Sequence, residues 1–167
     1  MLVLVMGLPG SGKSFFAKRL ADKSDMVYLN SDQVRIELGL RGRYSKEDRQ
    51  KVYAAMAAKT NELLKEGKRV LVDATFQRKK NRWEFQELAK KRRRSVACIR
   101  IWAEEGLVAK RLATEREESD ADFLIYQKLK SDFDPMEGDY LDIRSEDGKI
   151  DSMIHKALEY LNLAYEN

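Results

Sequence analysis

Cysteine, histidine and proline are scarce in this chain of 167 residues, which has one, one and two of them. A single cysteine, Cys98, excludes a disulfide within the chain. It lies in the apolar stretch Val96 to Ile101, where a small buried core residue is expected. The one histidine, His155, falls off the apolar stripe of its segment and reads as a surface residue, with no reason to make it a ligand or a base. Two prolines and nine glycines leave no linker-like stretch, and no repeat is present, so residues 1–167 are expected to form a single domain. No apolar run approaches the ~20 residues that span a bilayer. The leading apolar run is too short for a secretory signal and lacks a basic start, so a cytoplasmic protein is expected. Excess charge is small as well. A net charge of +4, with pI near 9.1, permits a polyanionic partner without requiring one.

Against these absences stands one dense pattern, Gly7-Leu8-Pro9-Gly10-Ser11-Gly12-Lys13-Ser14. It fills every fixed position of the phosphate-loop motif G-x-x-x-x-G-K-[ST]. The apolar run Leu2 to Met6 precedes it and a helix-compatible run from Phe15 to Ala21 follows, which is the strand–loop–helix setting the motif needs. The glycines let the backbone curl until several N–H groups, from Gly10 through Ser11 and Gly12 to Phe15, converge on one anion. The helix start adds its positive end. Lys13 has the reach for β- and γ-phosphates, and the Ser14 hydroxyl can hold Mg²⁺. The expected ligands are therefore a nucleoside triphosphate and Mg²⁺.

Strand and helix signals alternate along the chain. Strands are expected at Leu2–Met6, Met26–Asn30, Arg69–Val72, Ser95–Trp102 and Tyr140–Ile143, and helices at Lys13–Asp22, from Ser45 to Gly67, and at Lys79–Arg93, Glu105–Thr114 and Ala121–Phe133. Ser45 with Asp48, and Ser119 with Asp122, form capping-box patterns. Ile150, Met153, Ile154, Ala157, Leu158 and Leu161 form a clean stripe for a last helix. The alternation implies an α/β fold with a mostly parallel five-stranded sheet and helices on both faces. Sites in such folds gather at the carboxyl ends of the strands. Asp32 and Asp73 both follow expected strands and should meet the loop along one edge.

Each of the two acids admits two readings. Asp73 can help hold Mg²⁺ or can cap the helix that follows it. Asp32 can take a proton from an acceptor hydroxyl, with Arg35, one helical turn on, gripping a negative group of that acceptor. Equally, Asp32 can be a helix cap with Arg35 an unrelated surface residue. The run Lys90-Lys91-Arg92-Arg93-Arg94 ends a helix and precedes a strand, so it belongs at the amino end of the sheet, away from the site.

Together, GLPGSGKS, NSDQVR and VLVDATFQRKKNR resemble the small P-loop kinases, in particular the polynucleotide 5′-hydroxyl kinase domain and related small kinases. The resemblance covers nearly the whole chain. It implies the P-loop kinase fold with a helical lid at about residues 111–135. It also implies an acceptor site built on Asp32 and Arg35, with Asp73, Thr75, Arg78 and Arg82 nearby. The run from Arg111 to Arg116 resembles the lid, whose arginines reach the phosphates. Such lids often carry arginines four apart on one helical face; here Glu115 holds that place and Arg116 comes one residue later.

The resemblance implies an ATP-dependent phosphotransferase with Lys13, Asp32 and Arg116 as catalytic residues and Arg111 contacting the nucleotide. The first acceptor expected is the 5′-hydroxyl of a polynucleotide. The alternatives are an anionic small molecule, as in kinases of the gluconate kinase, antibiotic phosphotransferase and zeta toxin types, or a regulatory ATPase. No Asn/Thr-Lys-x-Asp segment is present to read guanine, which argues against a GTP-driven switch.

Overall fold

A computed structural model describes residues 1–115 and 119–166, with side chains for 1–114 and 122–162. Five strands, β1 (Leu2–Met6), β2 (Val27–Asn30), β3 (Val70–Ala74), β4 (Val96–Trp102) and β5 (Leu141–Arg144), form one sheet in the order β2-β3-β1-β4-β5. Every pair is parallel. The helices are α1 (Lys13–Lys23), α2 (Ser31–Glu37), α3 (Lys46–Lys65), α4 (Lys79–Lys91), α5 (Glu105–Glu115), α6 (Ser119–Ser131) and α7 (Ile150–Glu166). Among the described residues no helix is long and apolar enough to cross a membrane.

The central strands β1 and β3 are buried at every position, because helices cover both faces. On one face Val3, Val5, Leu71 and Ile99 pack with Phe16 and Leu20 of α1 and Met153, Ile154, Ala157 and Leu161 of α7. The stripe expected for the last helix is thus its buried face, and His155 is exposed, paired with Glu159. On the other face Leu2, Leu4, Val70 and Val72 pack with Val52, Met56 and Leu64 of α3 and Phe85 and Ala89 of α4. Cys98 is buried in this second core, and burial pushes its thiol pKa up.

Among the elements that differ from expectation, β3 runs on to Ala74, so Asp73 lies within the strand rather than after it. Helix α2 has no counterpart in the apolar periodicity, because only Val34 and Arg35 of its seven residues are buried. Helix α4 stops at Lys91, since Arg93 turns into the left-handed region at φ 53° and Arg94 N–H closes on the Ala89 carbonyl. Helix α6 begins at Ser119, two residues earlier than expected, so Ser119 is helical; its side chain lies outside the described residues.

Phe85 is fully buried and meets Phe76 edge to face at 5.3 Å. Phe85→Ala should therefore cost about 3–5 kcal/mol. Urea unfolding followed by far-UV circular dichroism checks this. A loss below about 1 kcal/mol would contradict the packing of α4 into this second core.

Candidate active site

The carboxyl ends of β1, β2 and β3 lie side by side, with Asn30, Asp73 and Val5 in register across them. The segment after β1 turns tightly under the last residues of β4. A Cβ on Gly7 would stand 2.4 Å from the Ile101 carbonyl oxygen, so no larger residue fits. Gly12 caps α1 at φ 82°, a conformation glycine adopts without steric cost. The first turn of α1 has neither a side-chain cap nor an acidic residue. Its positive end and N–H groups are therefore left for an anion, as the loop motif requires.

Lys13 and Ser14 project from this turn toward β3. Lys13 Nζ lies 3.8 Å from Asp73 Oδ1. Asp73 sits inside β3, one residue before its end, and is wholly buried. Its Oδ2 accepts from the Tyr28 hydroxyl at 2.6 Å and from Asn30 Nδ2 at 2.8 Å, while its Oδ1 has no hydrogen-bond partner. Ser14 lies near the same phenol, and burial together with the Asp73 charge pushes the Tyr28 pKa well above the usual tyrosine range. A buried carboxylate oxygen without a donor, beside a hydroxyl and facing a phosphate loop, fits a hard divalent cation. Among the described residues no three His, Cys, Asp or Glu side chains cluster as a metal site. A cation here would depend on phosphate oxygens and water for its remaining ligands, as Mg²⁺ commonly does.

The acceptor-side residues stand next to this centre. Asn30, not Asp32, caps α2: its Oδ1 accepts from the N–H groups of Asp32 and Gln33 at 2.9 and 3.1 Å. The Asp32 side chain is 68% exposed, which leaves it open to a substrate. Arg35 Nη1 donates to Asp32 Oδ1 at 2.9 Å. The Arg35 guanidinium lies 4.4 Å from the centre of the Tyr44 ring, and its buried Nε has no partner. Tyr44 is exposed. Asp32 and Arg35 thus form one unit, and the unrelated-surface-arginine reading does not describe them.

The residues after β3 divide. Thr75 is half-buried at the strand end. Phe76 takes a left-handed φ of 49° and donates its N–H to the Tyr53 hydroxyl at 2.9 Å. This bulky residue at positive φ is a strained turn, costing on the order of 1–3 kcal/mol. Arg78 and Arg82 turn toward the segment after α6. Arg78 donates to the Asp132 carbonyl and pairs with Asp134. Arg82 is buried and donates to the carbonyls of Asp134 and Pro135 at 2.8 and 3.1 Å. Asp134 in turn accepts from the Lys79 N–H at 2.9 Å and so caps α4 from a distant part of the chain. Both arginines, expected beside the acceptor, hold the 132–136 segment to α4 here.

Val108 and Leu112 of α5 pack against the phosphate loop: a Cβ on Gly10 would meet Val108 Cγ1 at 2.8 Å. Arg111 donates to the Gly10 carbonyl at 3.2 Å, to Ser145 Oγ at 3.0 Å and to Asp147 Oδ1 at 3.0 Å. It is therefore at the loop as expected. Arg116 lies outside the described residues. Phe15 is exposed on α1, its ring covered by the Arg19 guanidinium, so its main-chain N–H rather than its side chain can serve the anion site. Sequence reasoning did not find Tyr28, Asn30 or Tyr44. Only Asn30 left a signal, an Asx residue just before a helix start.

The fold and this loop define an α/β protein of the P-loop kinase-like class. A family model described as AAA domain matches residues 2–136, and the chain belongs to that family. Solved structures agree on the fold. A gluconokinase from Sinorhizobium meliloti is 17% identical with a TM-score of 0.74, over 98% of this chain and 93% of that one. The Mycobacterium tuberculosis APS kinase in complex with AMPPNP and APS is 17% identical with a TM-score of 0.74, over 96% of each. Chaetomium thermophilum Kti12 in complex with ADP-AlF3 is 14% identical with a TM-score of 0.65, over 95% and 98%. No curated protein matches the chain.

Replacing Arg82 by Leu would leave the Asp134 and Pro135 carbonyls without their donor. A loss of about 2–4 kcal/mol is expected, with faster amide hydrogen exchange over residues 132–136. Unchanged exchange there would mean that Arg82 does not anchor this segment.

Proposed function

We propose that the protein is an ATP-dependent phosphotransferase that moves the γ-phosphoryl group to a hydroxyl of an anionic acceptor, first among them the 5′-hydroxyl end of a polynucleotide. The observation that carries this reading is the exposed Asp32 carboxylate held by the buried Arg35, separated from the buried Asp73 by one side chain, Asn30. A switch ATPase needs no such exposed carboxylate held in place by a buried cation. The uncapped α1 terminus and Lys13 hold the β- and γ-phosphates. Ser14 and Asp73 would hold Mg²⁺, which neutralises charge on those phosphate oxygens. Asp32 accepts the acceptor's hydroxyl proton as the new O–P bond forms, and the bond from the γ-phosphorus to the bridging oxygen breaks to leave ADP. Arg35 binds an acceptor phosphate and keeps Asp32 oriented.

Tyr44 supports a nucleic-acid acceptor. It presents an exposed ring over Arg35, and base stacking on such a ring contributes about 1–3 kcal/mol per base. A small-molecule acceptor is supported by the fold's likeness to the gluconokinase and the APS kinase. Labelled ATP with a panel of 5′-hydroxyl DNA, 5′-hydroxyl RNA, nucleosides and sugar acids separates the two. Label is expected on an oligonucleotide, with Tyr44→Ala raising its KM about 5- to 100-fold. Label on a sugar acid alone would overturn the nucleic-acid acceptor.

Lys13→Ala should abolish transfer. Asp32→Asn should keep ATP binding and lower kcat by about 10²–10⁴. Wild-type transfer by Asp32→Asn would remove Asp32 as the base, and ATP hydrolysis as fast without acceptor as with it would favour an ATPase.

A further inference from the structure

Asn30 makes two sets of bonds in opposite directions. Its amide nitrogen donates to Asp73 Oδ2 at 2.8 Å, and its amide oxygen accepts from the N–H groups of Asp32 and Gln33. Reversing the amide would set its NH₂ against two backbone donors and its oxygen against a carboxylate, so the network admits one orientation. Tyr28, two residues earlier and therefore on the same side of β2, donates to the same Asp73 oxygen at 2.6 Å. The Asn30 amide also donates to the Tyr28 oxygen at 3.1 Å.

Two donors on Oδ2 stop the Asp73 carboxyl from rotating. The oxygen left over, Oδ1, is the buried one without a partner, 3.8 Å from Lys13 Nζ. A helix cap alone does not call for asparagine, since aspartate and serine cap about as well. Asparagine is required only where the same side chain must also donate to a carboxylate. The start of α2, which carries Asp32 and Arg35, therefore cannot move against Asp73 without breaking one of these bonds.

We propose that Asn30 and Tyr28 are positioning residues: they aim Asp73 Oδ1 at the metal-bearing phosphates, and through Asn30 they fix the spacing between that carboxylate and the base Asp32. This rests on the phosphotransferase reading above. Asn30→Ser keeps an acceptor for the α2 cap but removes the amide donor to Asp73 without adding charge, and Tyr28→Phe removes the other donor while keeping the ring.

The test is calorimetric titration with ADP, with and without Mg²⁺, on wild type and both variants, alongside transfer kinetics. Wild type should bind ADP more tightly with Mg²⁺. Each variant should bind metal-free ADP as wild type does and lose most of the Mg²⁺-dependent gain, with kcat down about 10- to 100-fold and acceptor KM unchanged. Hydrogen exchange at the Asp32 and Gln33 amides should stay slow in Asn30→Ser, because the cap persists. If both variants keep the Mg²⁺ gain and the wild-type kcat, the positioning role is overturned while phosphotransfer stands. If wild type itself shows no Mg²⁺ gain and no transfer, the underlying reading fails and takes this one with it.

Discussion

A carboxylate in the middle of a parallel sheet is costly unless every neighbour accommodates it. Asp73 has no exposed surface, and β1 and β2 flank its strand. The charge is tolerated because Tyr28, Asn30 and Lys13 surround it. Those three residues come from β2 and from the start of α1, so the sheet order itself serves this ion. Placing β3 between β1 and β2 sets the acid between the phosphate loop and the acceptor helix. Moving β3 out from between them would take the acid away from one half of the site.

The loop is held from the far side by different physics. Gly7 lies against the end of β4, and Gly10 lies against Val108 and Leu112, so apolar contact and missing side chains set the loop's path. Arg111 then ties the Gly10 carbonyl to Ser145 and Asp147, joining α5 to the turn before α7. The 132–136 segment is fastened separately, by Arg78, Arg82 and the Lys79 N–H. Arg111 and the 132–136 segment therefore both rest on polar bonds to main-chain groups, with the small cluster of Ala103, Val108, Leu112 and Tyr126 between α5 and α6.

What the sequence made legible follows from range. The loop motif, the buried strands and the stripe on α7 are local patterns, and periodicity reads them well. Helix α2 escaped because it buries too little to leave a period, although its cap residue and its charged pair were both in plain view. Arg82 escaped for the opposite reason: its partners lie more than fifty positions away, and nothing local separates an arginine that binds a phosphate from one that holds two carbonyls. Tyr28 reads as an ordinary strand residue until Asp73, forty-five positions on, is placed beside it. The chemistry of the donor half was thus written in the motif, whereas the residues that orient it appear only once the chain is folded.

The pairing of Lys13 with Asp73 bears on how such a site accepts its ligands. At 3.8 Å with Asp73 fully buried, the two groups neutralise each other more effectively than a surface pair would. Removing either charge alone would strand the other in a low-dielectric place. On the proposed reading, a nucleotide with its divalent cation would bring a phosphate oxygen to Lys13 and positive charge to Asp73. In the proposed reaction the internal pair is therefore exchanged for two external ones, without an unpaired buried charge at any stage. A metal-free triphosphate would satisfy Lys13 and leave Asp73 facing added negative charge. On the proposed reading the arrangement would favour the metal complex over the bare nucleotide, and that preference would originate in the depth at which Asp73 is buried rather than in the loop motif.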